Sequence, residues 1–278
     1  MKLIADSGST KTIWMVIENG VVVKNLQTSG LNPYFHTPQT LLSTLQTELF
    51  PLLDGKSILE VFFYGAGCST ANNNRMVHDA LQTGCANAEI TIDHDILGAA
   101  RALFGHGKGI AGILGTGCNS CYYDGLTAKS GVDSLGYLFG DEGAGSHLGK
   151  MLIGKYLKKQ LPPGLKAEFD QQYHCSLEDI LNALYNKPYP NRFLANFSMF
   201  LAPRQQNLFV RQLIKESFLA FFDAQIKQYP GYSALPVSFV GSIAYFYRDI
   251  LMETASEEGI GIGKILHTPV DGLAEYHR

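Results

Sequence analysis

The chain has 278 residues, of which 46% are hydrophobic and 17% charged, and its formal net charge is −3. This length allows more than one packed core. The small net charge, without a long run of lysine or arginine, argues against a nucleic-acid-binding surface or a surface for anionic membranes. No apolar segment approaches the ~20 residues of a membrane span, and the polar start "MKLIADSGST" is not typical of a signal peptide. Five cysteines favour a reducing compartment. We therefore expect a soluble, cytoplasmic α/β protein.

The first hundred residues predict three strands followed by alternating helices and strands. The Asn19-Gly20 pair is a hairpin signal between the second strand and the third. Helical spacing of apolar residues over 37–50 predicts a helix, with Thr37 as its N-cap and Pro38 at its first position. The predicted elements in order are strands at "KLIADSG", "TIWMVIENG" and "VVVKNLQTS", the helix at 37–50, a strand at "SILEVFFYGAG", a helix at "NNNRMVHDALQTG", a strand at "AEITIDHD" and a helix at "ILGAARALFG".

The same order begins again near residue 110. Strands at "GIAGILGTG", "CNSCYYDG" and "LTAKSG" repeat the pattern of strand, polar glycine turn, strand, Asx-Gly turn, strand. Chance similarity of two hairpins is the alternative, but the matching order favours a duplicated domain with a cleft between the halves. Residues 146–230 are predicted to be largely helical, with "LPPGLK" and "NKPYPN" as breakers. The segment "LPVSFVGSIAYFYRDILMETASEEG" then predicts a strand, a turn and a helix.

Three glycine-rich polar loops indicate a phosphate-binding site. They are "DSGSTKT" (6–12), "GTGCNS" (115–120) and "GDEGAGS" (140–146). Glycine lets a ligand approach the backbone, and successive amide groups with hydroxyl side chains form a concave anion site. Two such loops at equivalent places in a repeat, with "FVGS" after a late strand, favour a nucleotide phosphate chain. The sequence lacks a Walker A loop, because Met151 and Ile265 follow its two Gly-Lys pairs, and no G-x-G-x-x-G follows the first strand.

Several acids stand at predicted strand ends and are candidates for chemistry. Asp6 ends the first strand, where a carboxylate could hold Mg²⁺ or could simply form a turn. Asp95 precedes a helix, where it could act chemically or serve as an N-cap, and Asp93 is its rival with the same strand parity. Asp141 and Glu142 could bind metal or substrate, or could favour the positive end of the following helix. Their glycine-rich surroundings favour function for at least one of them.

The C-x-x-C pair Cys118 and Cys121 is a weak candidate for metal or redox chemistry. Residues three apart on a strand point to opposite faces, and no second C-x-x-C or histidine pair accompanies them. We expect small buried side chains there. The aromatic-rich helices over 193–229 are expected to form core and interface.

In combination, "LIADSGSTKT", "DHDILGAA", "ILGTGCNS", "GDEGAGSHLG" and "FVGSIAYF" resemble the superfamily of actin-like ATPases that includes sugar kinases and Hsp70. The chain is more closely similar to the N-acetylglucosamine kinase branch of the BadF/BadG/BcrA/BcrD ATPase family. The resemblance covers nearly the whole chain in the right order. It implies two duplicated RNase H-like α/β domains with a cleft between them, over residues 1–105 and 106–278, the second with a helical insertion.

The resemblance also implies which residues act. Asp95, followed by Gly98, matches the family's catalytic base, and Asp6 matches the position that supports Mg²⁺. The positions implied to bind ATP are Gly8, Ser9, Thr10 and Lys11 in the first loop, Gly115, Thr116 and Gly117 in the second, and Gly241 and Ser242 in the adenosine motif. The positions implied to bind the sugar are Asn32, Asp95, Asn119, Gly136 and Asp141.

The chain departs from the family at the residues before Gly-Asp-Glu-Gly. Related kinases often carry an aromatic residue there, whereas this chain has Ser134-Leu135-Gly136, so the wall beside the acetamido group is expected to differ. The short chain end also predicts a reduced final helix after "PVDGL".

The reaction implied is transfer of the γ-phosphate of ATP, with Mg²⁺, to the C6 hydroxyl of an N-acetylated amino sugar, with N-acetylglucosamine favoured. A homodimer without a nucleic-acid or membrane partner is expected. One alternative is a reductase-activating ATPase of the BadF type, but its Cys-Ala-Ala-Gly-Thr-Gly type of segment is missing from the sequence. The other is a non-catalytic amino-sugar sensor, against which the sequence offers only the retained Asp95 and Asp6.

Overall fold

The computed structural model describes residues 1–55 and 57–278. Contacts group the chain into two compact units. The first comprises Met1–Lys108, Tyr123–Ala128 and Thr268–Arg278, and the second comprises Gly109–Tyr122 and Lys129–His267. The predicted domain extents, 1–105 and 106–278, stay a prediction, and the contacts of the last eleven residues lie with the first unit.

Each unit contains a five-stranded sheet, and the two sheets have the same strand order. The first sheet has the order β3-β2-β1-β4-β5 and the second the order β8-β7-β6-β9-β10. In the first sheet β1 is antiparallel to β2 and parallel to β4, so that sheet is mixed. The matching order confirms the predicted α/β fold of two duplicated domains. The strands are β1 (Lys2–Ser7), β2 (Lys11–Glu18), β3 (Val21–Ser29), β4 (Glu60–Gly65), β5 (Glu89–His94), β6 (Gly109–Leu114), β7 (Cys118–Tyr123), β8 (Ala128–Lys129), β9 (Val237–Val240) and β10 (Ile262–Leu266).

The helices flank these sheets, and most lie where the apolar spacing predicts them. They are α1 (Pro38–Thr44), α2 (Ala71–Gly84), α3 (Asp95–Phe104), α4 (Gly136–Phe139), α5 (Gly145–Leu157), α6 (Pro163–Gln172), α7 (Leu177–Tyr185), α8 (Pro190–Ser198), α9 (Leu208–Ala224), α10 (Ser242–Phe246), α11 (Arg248–Glu257) and α12 (Val270–Tyr276). The described part of the chain has no helix with the length and apolarity required to cross a membrane.

Local sequence signals explain how several elements begin. Asn19 and Gly20 both have positive φ (50° and 77°), as a two-residue hairpin turn requires. The Thr37 hydroxyl caps α1 by accepting from the amide of Thr40 at 3.2 Å, with Pro38 at the first helical position. Both predictions are confirmed. The α-helix ends at Thr44, however, and 3₁₀ and π turns continue to Leu53.

The helix α6 and the strand β10 are among the elements that differ from the sequence prediction. "LPPGLK" was expected to break the helical region, but α6 begins inside it, at Pro163. Proline is tolerated at the first helical position because its missing amide would have no partner there. The strand β10 was not predicted, because its sequence "IGKIL" alternates poorly, yet it pairs in parallel with β9.

The two units have separate hydrophobic cores. In the first unit the core lies between the sheet and the helices α1 and α2, around Trp14 and Phe63. In the second unit the aromatic side chains of the helices over 193–229 lie in the core with Phe169 and Phe239. The prediction that these helices supply core is therefore confirmed. Cys118 and Cys121 are also buried, as expected for small side chains on a strand.

Candidate functional site

In the first unit, three parallel strand ends bring the predicted residues to one edge of the sheet. Asp6 on β1 pairs with Tyr64 on β4, and Tyr64 pairs with Asp93 on β5. Paired residues on neighbouring strands project to the same face of a sheet. Asp95 follows β5 directly, as the first residue of α3. The helix α3, which begins with Asp95, therefore covers the face of the sheet that carries Asp6.

The Asp6 carboxyl is buried and is affected by the charge of Asp95. Burial and, to a smaller extent, the nearby Asp95 carboxylate raise the pKa of the Asp6 carboxyl to about 7, although the charge of Lys11 opposes the rise. Two carboxylates that repel one another are a suitable environment for a divalent cation, which prefers hard oxygen ligands. Among the described residues, no group of three or more His, Cys, Asp or Glu side chains could hold a metal ion. A magnesium ion at Asp6 would therefore take its remaining ligands from water and phosphate oxygens, as Mg²⁺ commonly does.

The first glycine-rich loop is a tight connection between β1 and β2. The amide of Gly8 donates to the carbonyl of Lys11 at 3.0 Å, and the hydroxyls of Ser7 and Thr12 lie 2.8 Å apart beneath the loop. The side chains of Thr10 and Lys11 are exposed at its tip. The loop is therefore fixed from beneath by buried hydroxyl groups, and it exposes the Thr10 hydroxyl and the Lys11 ammonium group at its tip.

Asn32 lies against this loop. Its side-chain Nδ2 donates to the Ser9 hydroxyl at 2.9 Å, and its Oδ1 accepts from the amide of Tyr34 at 3.0 Å. Only 8% of Asn32 is exposed. The structure therefore brings a predicted sugar-binding residue and a predicted phosphate-binding residue of the same unit into direct contact.

Asp93 and Asp95 have different surroundings. A carboxylate oxygen of Asp93 lies 3.9 Å from the guanidinium of Arg101, which lies in the last turn of α3. The Asp95 carboxylate accepts from the amide of Ile96 at 2.8 Å, and the N-cap position of α3 belongs to His94. Asp93 therefore has a cationic partner within the fold, and it lies at the same sheet edge as Asp6 and Asp95. Sequence parity alone could not separate these two acids.

In the second unit, the second glycine-rich loop is joined to the start of α5. The amide of Gly145 donates to the carbonyl of Gly115 at 2.8 Å, and the amide of Ser146 donates to the carbonyl of Thr116 at 3.0 Å. Gly115 also donates to the carbonyl of Gly117 at 3.0 Å, which closes the loop after β6. The first amides of α5 are thereby satisfied by the loop that is predicted to hold phosphate.

Asp141 holds these two segments together. Its Oδ1 accepts from the amide of Cys118 at 2.9 Å, and its Oδ2 accepts from the Ser146 hydroxyl at 3.2 Å. Asp141 is 7% exposed and has a positive φ of 61°. Burial raises the pKa of its carboxyl, while the bonds from Cys118 and Ser146 oppose the rise. Asp141 therefore has a structural role at the start of α5, which was one of the alternatives predicted for it, and its bond from Cys118 was not predicted. Its contact with a sugar stays a prediction.

The other predicted sugar-binding residues of this unit lie on the segments around Asp141. The Asn119 side chain accepts from the amide of Ser120 at 2.9 Å on β7. Gly136 has a positive φ of 65° and begins the short helix α4. The exposed side chains of this helix are Leu138 and Phe139, so aromatic and apolar groups do precede Gly-Asp-Glu-Gly, although not at the position expected from the family.

Gly241 ends β9 beside the second loop. Its φ is 128°, and a Cβ at this position would collide with the backbone carbonyl of Leu114. Its amide donates to the carbonyl of Leu266, at the end of β10, at 3.0 Å. Only glycine allows this close approach. The carboxyl ends of β6, β9 and β10 therefore meet at one edge, where Ser242 begins α10.

Comparison with solved structures finds close relatives of this fold. A candidate N-acetylglucosamine kinase from Porphyromonas gingivalis is 42% identical, with a TM-score of 0.95, over 100% of this chain and 98% of that chain. A second candidate N-acetylglucosamine kinase, from Chromobacterium violaceum, is 16% identical, with a TM-score of 0.75, over 100% of this chain and 98% of that chain.

A more distant neighbour was solved with ligands. The ROK family glucokinase from Streptomyces griseus, in complex with glucose and AMPPNP, is 13% identical, with a TM-score of 0.61, over 99% of this chain and 97% of that chain. The two matches below 25% identity support the fold alone. No protein-family model and no curated protein matches the chain.

Proposed function

Because the chain belongs to the family of N-acetylglucosamine kinase-like sugar kinases with the actin-like ATPase fold, we propose that it transfers the γ-phosphate of ATP to an N-acetylated amino sugar. N-acetylglucosamine is the proposed acceptor, at its C6 hydroxyl. The bond between the γ-phosphorus and the β,γ-bridging oxygen breaks, and a bond between that phosphorus and the sugar oxygen forms. The products are ADP and the sugar 6-phosphate.

The observation that carries this proposal is the position of Asp95 beside Asp6 at one sheet edge. A phosphoryl transfer needs in-line positioning and charge neutralisation more than covalent chemistry from the protein. Asp95 orients the acceptor hydroxyl and takes its proton as the new bond forms, a role worth ~10²–10⁴-fold in rate. We prefer Asp95 to Asp93 for this role because the Asp93 carboxylate lies 3.9 Å from the guanidinium of Arg101.

The nucleotide is held by backbone and side chains of both glycine-rich loops. In the first loop, Gly8 and Ser9 supply backbone and hydroxyl groups, and the exposed Thr10 and Lys11 contact the β- and γ-phosphates. In the second loop, Gly115, Thr116 and Gly117 are the residues proposed to bind phosphate. The nucleoside lies against Gly241 and Ser242. Asp6 would hold Mg²⁺ through water, and bound Mg²⁺ would neutralise charge on the phosphate oxygens.

The residues proposed to contact the sugar are Asn32, Asn119, Gly136 and Asp141. For Asp141 this role adds to its hydrogen bonds within the unit, since each carboxylate oxygen can accept more than one bond. A cytoplasmic homodimer likewise remains a prediction.

A substrate panel tests the proposed reaction. ADP release is followed in a coupled assay with ATP, Mg²⁺ and N-acetylglucosamine, N-acetylmannosamine, N-acetylmuramic acid, glucosamine or glucose. We expect turnover with an N-acetylated sugar, best with N-acetylglucosamine, and a phosphorus-coupled carbon signal at C6 in the NMR spectrum of the product. ATP hydrolysis that no sugar stimulates would contradict the kinase and favour an activator ATPase. Sugar binding without turnover would favour a sensor.

A further inference from the structure

The second unit has a surface pocket with a volume of about 560 Å³. Three segments line it: the end of β7 at Tyr122, residues 129–131 at the end of β8, and residues 228–235 before β9. Its volume lies within the range of roughly 300–1,000 Å³ that is typical of small-molecule sites. The residues predicted to bind ATP, Mg²⁺ or the sugar are all outside its lining. The proposed kinase reaction therefore does not account for this pocket.

The pocket is separate from the second glycine-rich loop of the same unit. The strand β7 begins at Cys118, directly after the Gly-Thr-Gly turn, and Tyr122 lies four residues further along it. At about 3.4 Å per residue, Tyr122 lies roughly 14 Å from Cys118 along the strand. A molecule in the pocket therefore binds at the other end of β7 from the proposed phosphate site.

Tyr229 forms a fixed wall of the pocket. Only 4% of Tyr229 is exposed, and its hydroxyl accepts from the amide of Gly131 at 3.1 Å and lies 2.8 Å from the Ser120 hydroxyl. Ser120 uses its one hydroxyl proton for Gln225, at 2.7 Å, so Tyr229 donates to Ser120. A Cβ at Gly131 would come 2.8 Å from the Tyr229 ring, which therefore packs directly on backbone. A ligand meets this wall without having to order it, which lowers the cost of binding.

The lining combines apolar surface with one positive charge. Tyr229, Ala234 and Leu235 contribute apolar surface, and Lys129 is exposed beside them. Among the described residues that line the pocket, Lys129 alone is charged at neutral pH, and no aspartate or glutamate is present. The hydroxyl of the half-buried Tyr122 has no hydrogen-bond partner in the described ranges 1–55 and 57–278. An ammonium group and a phenol hydroxyl are both donors, so this lining favours an anionic ligand with an apolar body.

The donor set fits a carboxylate better than a phosphate ester. A carboxylate carries one negative charge, which one ammonium group can balance. A phosphate ester carries about −1.5 to −2 and three acceptor oxygens. Phosphate sites usually supply an arginine fork or several backbone amides, and no arginine is among the described residues that line this pocket.

We propose that this pocket binds a small organic carboxylate with an apolar body of about two rings. The body lies against Tyr229 and Leu235, and the carboxylate accepts from Lys129 and from the Tyr122 hydroxyl. This second site is independent of the proposed kinase reaction, and neither proposal depends on the other.

Three probes that share one apolar body test the site: 2-naphthoate, the neutral 2-naphthamide and 2-naphthyl phosphate. By titration calorimetry we expect 2-naphthoate to bind with a Kd of about 1 mM or below. It should bind about fivefold more tightly than either of the other two probes. Lys129→Gln should remove the preference for 2-naphthoate over 2-naphthamide. Ala234→Trp should abolish the binding of all three, because the indole ring fills the pocket.

The matched control is Lys187→Gln, which removes an exposed lysine of the same unit that is outside the lining. It should bind every probe as wild type does, and thermal unfolding confirms that each variant is folded. Saturating ATP with Mg²⁺, or N-acetylglucosamine, should leave the affinity for 2-naphthoate unchanged.

Several results would overturn the proposed site. Absence of 2-naphthoate binding, or equal affinity for the acid and the amide, would exclude a carboxylate site. Tighter binding of 2-naphthyl phosphate would make the ligand a phosphate ester instead. Displacement of 2-naphthoate by ATP or the sugar, or its undiminished binding to Ala234→Trp, would place the probe elsewhere on the protein. A lower solution mass for Ala234→Trp than for wild type would mean that a second copy of the chain occupies the pocket.

Discussion

Gly98 lies so close to Tyr64 that a Cβ at position 98 would come 2.7 Å from the Cγ atom of the tyrosine ring. Tyr64 is the residue between Asp6 and Asp93 in the register of the first sheet. The absence of a side chain at position 98 therefore lets the start of α3 rest on β4, one turn after Asp95. This contact gives a physical reason for a glycine three residues after the proposed base.

Gly98→Ala should therefore move the proposed base away from the sheet edge. The added methyl group has to displace a buried ring or shift α3, at a cost of ~1–3 kcal/mol in the free energy of unfolding. We expect kcat to fall about tenfold or more, with a smaller change in the KM for ATP. Steady-state kinetics and urea unfolding measure both effects.

Gly154→Ala is the matched control for this substitution. Gly154 lies within α5, and nothing lies within 4 Å of a Cβ built there. This variant should be as stable as wild type or more stable, since alanine favours helix. Equal kinetics for Gly98→Ala and wild type would mean that the glycine does not position Asp95.

The C-terminal helix contributes a pH-dependent contact in the first unit. The Nε2 atom of His277 lies 2.8 Å from the hydroxyl of Tyr64, which also accepts from Arg101 at 2.6 Å. Burial, together with the charges of Arg101 and Lys2, lowers the pKa of His277 from 6.5 to about 4. The folded protein therefore favours neutral His277.

Because the pKa of His277 is lower in the folded state, its contribution is present above pH 6.5 and is lost as the pH falls towards 4. His277→Gln removes this proton linkage. The stability difference between wild type and His277→Gln, measured by urea unfolding, should therefore shrink between pH 7 and pH 5. A stability difference that is constant between pH 7 and pH 5 would contradict the neutral state assigned to His277. Comparing the two proteins at each pH cancels His147, whose pKa burial also lowers to about 4.

The protein should lose stability when Asp141 is replaced by alanine and should lose less when it is replaced by asparagine. Asp141→Ala leaves the Cys118 amide without its partner, which costs ~1–3 kcal/mol in the free energy of unfolding. Asp141→Asn keeps an acceptor oxygen, and asparagine tolerates the positive φ of 61° better than alanine does. Urea unfolding should therefore rank wild type above Asp141→Asn and Asp141→Asn above Asp141→Ala.

Asp133, an exposed acid in the same segment of the chain, supplies the control, because Asp133→Ala should leave stability unchanged. If Asp141→Ala unfolds like wild type and only the KM for the sugar rises, Asp141 contacts substrate without bracing the loop.

The sequence predicted the elements whose signals are local. The Asn19-Gly20 turn and the Thr37-Pro38 helix start depend on a few adjacent residues, and both were predicted correctly. The strand β10 was not predicted because the local alternation of its residues does not indicate a strand. It forms by pairing in parallel with β9, and β9 is itself distant in the sequence from the other strands of the sheet. The helix α6 was missed because two prolines mark a break and a helix start equally well.

The candidate site was only partly predictable for the same reason. Motif order placed Asp6, Asp95 and the two glycine-rich loops at strand ends. The pairing of Asp93 with Arg101 and the bonds from Cys118 and Ser146 to Asp141 depend on tertiary contacts. Spacing alone does not reveal those contacts, because they join residues that are distant in the sequence.

The measurement that tests the central claim most directly is a comparison of Asp95→Asn with wild type for both turnover and nucleotide binding. With N-acetylglucosamine and ATP, we predict that Asp95→Asn lowers kcat by ~10²–10⁴-fold, while the calorimetric Kd for ATP stays within about twofold. Asp79→Asn, an exposed acid on α2 that lies near Arg75, should match wild type in both. Turnover that survives Asp95→Asn but is abolished by Asp93→Asn in a folded protein would contradict the assignment of the base.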